Sequence, residues 1–263
     1  MYRDVPFATE TMEQIEKDLQ EAREYVPNIT RVFLENGDPF CLNAERLSAI
    51  AVKTHEYLPK VDTIAMYASI KNIRGKSDEE LKQLRALGVN ELNIGIESGL
   101  DEALNRMNKG YTAEQALYEL KRLNAVGMDY GANVIFGCAG EGRSEENAKA
   151  TALLLNETKP YLIFTGTIHA DPGCPLYEDM ENHTFTESTF GEYLDEEELF
   201  LSQLDLEGCY YFGLHPSNLV QMHGYLNRDK QEMLDIIHNR RKQLTGRLHL
   251  RPVRGGEGAI LNA

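Results

Sequence analysis

Apolar positions along this chain alternate between a helical and an extended period. Met12, Ile15, Leu19 and Ala22 recur at helical spacing, and either Thr9 or Thr11 can cap that helix. Residues 30–33 then read as a strand that ends in Glu35-Asn36-Gly37-Asp38-Pro39. Asn43 caps a second helix, patterned through Leu47, Ile50, Ala51 and His55. A strand over 63–70 precedes a helix from Ser77 to Leu87, which Gly88 is placed to end. The apolar run 92–96 stops at Glu97-Ser98-Gly99 and a polar helical segment follows. After it come a helix capped by Thr112 and closed by Gly127, and a strand over 130–138 with a glycine-rich exit. A helix from Ser144 to Lys159 and a strand over 161–170 complete the series.

Strands alternating with helices at a period of roughly thirty residues imply parallel strands joined by right-handed crossovers. The fold class is α/β, a partial (βα)6 TIM-like barrel. The series opens on a helix and lacks the strand that should precede it. Chemically loaded residues stand at the strand exits: Asn36-Gly37-Asp38, Ser69, Glu97, Asn133 with Gly137, and His169. Parallel strands place such exits on one rim, where ligand sites of these folds lie. From about residue 171 the repeat dissolves. A mainly helical C-terminal extension follows, with helices near 196–206 and 229–244 and a short aromatic stretch at 209–214 that can form a strand. The division is therefore 1–180 for the barrel and 181–263 for the extension, whose tail is flexible or lies as a strap over another surface.

Composition narrows the function. The 263 residues carry 27 Lys and Arg against 42 Asp and Glu, a net charge of −15, which disfavours a nucleic-acid partner. The acidic stretches at 10–24 and 192–198 read as solvated helix faces. No apolar run is long enough to span a bilayer and no signal pattern opens the chain, so the expected location is cytoplasmic, without membrane association. The four cysteines, 41, 138, 174 and 209, are too scattered for a local metal cassette and read as small buried hydrophobes.

Four segments together resemble the core of radical S-adenosylmethionine (radical SAM) enzymes. Asn36-Gly37-Asp38-Pro39 is similar to the glycine-rich turn that takes the methionine amino group, with Asn36 in place of the usual glycine. Asn93-Ile94-Gly95-Ile96-Glu97-Ser98-Gly99, with Lys109 twelve residues after Glu97, resembles the branch of oxygen-independent coproporphyrinogen oxidases and methylthiotransferases. Gly131–Glu141 resembles the motif that packs on the adenine, and Asp171-Pro172-Gly173-Cys174-Pro175-Leu176 the Pro-Gly-Thr-Pro-Leu that follows a later strand.

The resemblance implies a cofactor set of S-adenosylmethionine (SAM) and a [4Fe–4S] cluster that cleaves it to methionine and a 5′-deoxyadenosyl radical. It assigns Asn36, Gly37 and Asp38 to the ammonium, Glu97 to the ribose hydroxyls and Lys109 to the carboxylate. Asn133, Ile135 and Gly137 go to the nucleoside, and Ser69 is grouped with these cofactor contacts. His169 at a strand exit, and His215 and Asn218 in a segment similar to a C-terminal signature of radical SAM proteins, are substrate candidates, with bracing of the fold as the alternative. The family's C-x-x-x-C-x-x-C ligands are absent here. Met1–Phe7 is similar to the segment that follows them in relatives, so the cysteines are expected upstream of Met1 and this chain is expected to be inactive without them. The implied partners are a small-molecule or peptide substrate and an electron donor such as flavodoxin or ferredoxin. Two other functions fit the same pattern. One is an iron-free barrel enzyme holding a small anion at Gly137–Gly142; the other is a non-catalytic protein that binds SAM or another ligand without a cluster.

Overall fold

The computed structural model describes residues 8–252. Helix α1 (Met12–Tyr25) is capped by Thr11, whose hydroxyl accepts the Gln14 amide. Strand β1 (Arg31–Leu34) leads through a 3-10 turn (Pro39–Cys41) into α2 (Ala44–Tyr57), capped by Asn43. Strand β2 (Thr63–Ala68) stops two residues short of the span the apolar pattern gives. Ser69 turns its hydroxyl onto the Asn72 amide and caps a short helix, α3 (Ile70–Arg74), instead of extending the strand. A reciprocal Ser77–Glu80 capping box opens α4 (Asp78–Ala86), and β3 (Val89–Glu97) follows. Next come α5 (Asp101–Arg106), α6 (Ala113–Val126), β4 (Asp129–Phe136), α7 (Ser144–Thr158) and β5 (Leu162–Thr167).

The repeat does not dissolve at residue 171. Helices α8 (Pro175–Glu181) and α9 (Phe190–Gln203) form a further crossover, and β6 (Tyr210–Phe212) pairs parallel to β5. Strand β7 (His223–Tyr225) returns antiparallel on β6, and α10 (Lys230–Gln243) packs against α9. The strand expected within 209–214 and the helix near 196–206 are both present, and two features hide from the sequence that they continue the parallel repeat. The strand is three residues long, too short to show a period, and α9 turns Glu196 and Glu197 inward rather than into solvent. These two carboxylates are 1% and 3% exposed, so the 192–198 stretch is not simply a solvated face. Residues 247–250 lie as a strap over the start of α9, where the Leu250 and Leu248 carbonyls accept the Phe190 and Gly191 amides. Residues 253–263 and Met1–Phe7 lie outside the described residues.

The strands are ordered β1 to β7, six parallel and the last antiparallel, giving a mostly parallel α/β sheet of the expected class. Alternation within the strands separates two faces. Leu92, Ile94 and Ile96 of β3 and Tyr130, Ala132, Val134 and Phe136 of β4 are buried, each worth roughly 1.5–3 kcal/mol for a full-sized apolar side chain. Asn93, Gly95, Glu97, Asn133 and Ile135 occupy the opposite, half-buried face. At its far end from the rim, Arg31 reaches over β2 to Glu91 with a two-pronged contact at 2.6 and 3.0 Å, and the Tyr161 hydroxyl donates to the same carboxylate. These bridges skip intervening strands, as side chains do across the hollow of a curved sheet.

Candidate cofactor site

At the β1 exit Asn36 and Gly37 take consecutive left-handed conformations, φ 67° and 74°, and swing Asp38 back toward β2. One Asp38 oxygen, Oδ2, accepts the Asn72 side-chain amide at 2.6 Å. The other, Oδ1, is buried with no hydrogen-bond partner. Buried carboxylate oxygens are costly without a donor, so this one is poised to take a cationic N–H. Lys76 holds the turn from below. Its ammonium donates to the Phe40 carbonyl at 2.6 Å and stands 4.1 Å over the Phe40 ring, and burial lowers its pKa.

At the β3 exit Glu97 also has a left-handed backbone, φ 66°, beside a register shift in the pairing with β4. Its carboxylate folds over Gly95, where an added Cβ would stand 2.4 Å from Oε1. Lys109 donates to that oxygen at 3.0 Å, the pair being partly exposed. The Tyr111 hydroxyl shares its hydrogen between the Gly95 and Ile96 carbonyls, both at 3.1 Å, and pins the strand end; burial raises its pKa. Asn133 lies beside Gly95 in register, and Ile135 is two residues further toward the rim.

Gly137 ends β4 with φ 77°, and a Cβ there would meet the Tyr193 ring at 2.2 Å. Its amide donates to Glu196 at 3.0 Å, and the Gly142 amide to Glu192 at 2.6 Å. Carboxylates from α9 thus take the amides that the anion-binding alternative at Gly137–Gly142 would need. That alternative has no support in this loop.

The substrate candidates sit farther along the sheet. His169 lies beyond the end of β5 and pairs with Asp171 at 2.9 Å. His215 Nδ1 accepts the Ser217 amide at 3.2 Å and contacts the Ser217 hydroxyl at 2.6 Å, and that hydroxyl oxygen itself accepts the Thr167 amide. The ring meets Phe164 edge-on. Asn218 is buried, donating to the Thr165 and Gly213 carbonyls and accepting from the Thr167 hydroxyl, so it braces this segment on β5. Sequence reasoning missed Asn72, Lys76, Tyr111 and Glu196. Each acts on a partner remote in sequence, and nothing local marks it.

A family model described as the Radical SAM superfamily matches residues 2–155. The chain belongs to this superfamily. Among curated relatives, the heme chaperone HemW of Bacillus subtilis is 21% identical over 188 residues, covering 71% of this chain and 49% of that protein. The tRNA-2-methylthio-N(6)-dimethylallyladenosine synthase of Zymomonas mobilis is 34% identical over 91 residues, 35% of this chain and 20% of that protein. The chain spans half or less of the length of these two. Coproporphyrinogen III oxidase (HemN) from Escherichia coli shares the fold with a TM-score of 0.54 at 16% identity, covering 75% of this chain and 48% of that one. Methylornithine synthase (PylB) gives a TM-score of 0.54 at 15% identity, covering 89% and 62%.

Superfamily membership implies SAM and a [4Fe–4S] cluster. The orphaned Asp38 oxygen and the Lys109 ammonium suit the zwitterionic end of SAM. The described residues do not suit the cluster: no three or more of their His, Cys, Asp or Glu side chains gather where they would hold a metal ion. Cys138 and Cys209 are buried as expected, whereas Cys41 is exposed and Cys174, half-buried, caps α8.

Proposed function

We propose that this rim binds SAM and that the chain is the core of a radical SAM enzyme acting on a small molecule or peptide. The observation that carries the assignment is the buried, unpartnered Asp38 Oδ1. A charge-assisted hydrogen bond from the ammonium to that oxygen would be worth about 1.5–3 kcal/mol. Asn36 and Gly37 shape the turn and expose its carbonyls, and Ser69 with Asn72 fixes the Asp38 carboxylate. Lys109 faces the carboxylate as a point charge. Glu97 accepts from the ribose hydroxyls, and Asn133, Ile135 and Gly137 line the nucleoside.

When bound, the cofactors supply hydrogen abstraction by radical chemistry; the protein orients them and excludes water. On this reading the cluster ligands come from outside the described residues, and an electron donor of the flavodoxin or ferredoxin kind serves the site. The −15 net charge favours a small molecule or peptide over nucleic acid as substrate.

Calorimetric titration of the chain with SAM and with 5′-methylthioadenosine, which lacks the amino-acid end, tests the assignment. Asp38→Asn should weaken SAM at least tenfold and leave methylthioadenosine within twofold, and Lys109→Met, which also frees Glu97, should weaken SAM more than methylthioadenosine. Equal loss for both ligands, or wild-type protein that binds neither, would overturn it.

A further inference from the structure

Outside the rim, one buried polar cluster joins the two strand exits assigned to the nucleoside. The Ser98 hydroxyl donates to Asn147 Oδ1 at 2.5 Å, and Asn147 Nδ2 donates to Glu196 Oε1 at 2.6 Å. Glu196 Oε2 accepts the Gly137 amide at 3.0 Å. Ser98, Asn147 and Glu196 are 0%, 1% and 1% exposed, so solvent does not compete for any of these contacts.

The turn carrying Glu97 sits hard against α7, the helix that bears Asn147. The Gly99 amide donates to Thr151 at 2.9 Å, and a Cβ on Gly99 would stand 2.4 Å from the Ala150 carbonyl oxygen. Behind α7, α9 supplies a carboxylate whose two oxygens serve different strands, one through Asn147 and Ser98 to β3, the other directly to β4. A buried carboxylate is an expensive way merely to pack two helices. Its neighbour Glu197 is equally buried but bonds the Tyr211 hydroxyl at 2.8 Å, away from both exits.

We propose that Glu196 is a positioning residue for the nucleoside half of the cofactor site, fixing the β3 exit through Asn147 and Ser98 and the β4 exit through the Gly137 amide. The inference rests on the SAM assignment above. It makes helix α9 of the C-terminal extension part of the cofactor site's support, so α9 sets the spacing between Glu97 and the adenine-side strand.

The donor–acceptor pattern supplies a reciprocal test. Asn147→Asp removes the amide donor to Glu196 and sets two carboxyl groups against each other, a contact that closes only if they share a proton, so the comparison is made at pH ~9, above the Glu196 pKa of about 7. Adding Glu196→Gln restores the chain in reverse. The amide introduced on α9 can donate to the carboxylate introduced on α7 and still accept from Gly137, while that carboxylate still accepts from Ser98. Methylthioadenosine affinity should fall about tenfold in Asn147→Asp and return to within twofold of wild type in the double variant. Amide hydrogen exchange at residues 97–99 and at Gly137 should speed up and recover in parallel, whereas Glu197→Gln should change neither readout. If Asn147→Asp does not fold, the double variant decides: binding like wild type supports the inference, and a folded double variant with tenfold weaker binding overturns it. Single and double variants that differ in melting temperature but bind alike also overturn it and leave the SAM assignment standing. Wild-type protein that binds neither SAM nor methylthioadenosine removes both.

Discussion

Glu97 and Lys109 meet at 3.0 Å across twelve residues of chain, with the glutamate held in a left-handed backbone conformation. The residues assigned to the ribose and to the carboxylate of SAM are therefore each other's partners. As a partly exposed ion pair it contributes little to stability, about 0–1 kcal/mol. Glu97→Gln and Lys109→Met should accordingly unfold in urea within about 1 kcal/mol of wild type, while SAM affinity drops at least tenfold. A large stability loss in either variant would make the pair structural.

Three glycines around the rim should respond differently to alanine. At Gly95 the added methyl meets the mobile end of Glu97, so Gly95→Ala should cost under about 1 kcal/mol but displace the carboxylate and weaken SAM binding. At Gly99 the obstacle is the α7 backbone, and at Gly137 it is the Tyr193 ring on top of a positive φ. Those two variants should lose about 3 kcal/mol or more, or fail to accumulate as folded protein. Circular dichroism melts alongside binding titrations separate the cases.

Burial raises the carboxyl pKa values of Glu196 to about 7 and Glu197 to about 8, from an ordinary value of 4.5. Between 4.5 and 8 the folded protein keeps protons that the unfolded chain has released, so these groups lower stability as pH rises through that window. Each pH unit costs up to about 1.4 kcal/mol per such group. Glu197→Gln should flatten the decline and leave the variant more stable than wild type at pH ~9, by on the order of 5 kcal/mol. Urea midpoints from pH ~5 to ~9 give the answer; a variant that tracks wild type throughout would refute it.

Asn218 and His215 stand three residues apart yet should behave unlike each other. Asn218→Ala strips buried partners from Thr165, Thr167 and Gly213 and should cost about 2–4 kcal/mol. His215 is exposed, so His215→Ala should stay within about 1 kcal/mol of wild type in denaturant unfolding. Equal losses would place both in the brace.

The sequence by itself determined whatever is written locally. Thr11, Asn43, Ser77 and Thr112 each cap the helix that follows because a side-chain oxygen needs only an amide two or three residues on. Alternation in β3 and β4 sorted Leu92, Ile94 and Ile96 from Asn93 and Glu97, and parallel pairing then gathered the loaded exits on one rim. Tertiary structure alone decided the rest. Whether Ser69 extends β2 or caps α3, and whether the short β6 finds β5, depends on neighbours that no local pattern records. Asn72 matters because Asp38 lies 34 positions away, and Glu196 because Gly137 lies 59 away. An acidic residue on a helix reads as solvated until the fold removes the solvent; the two inward glutamates of α9 became structural when α7 and β4 closed over them.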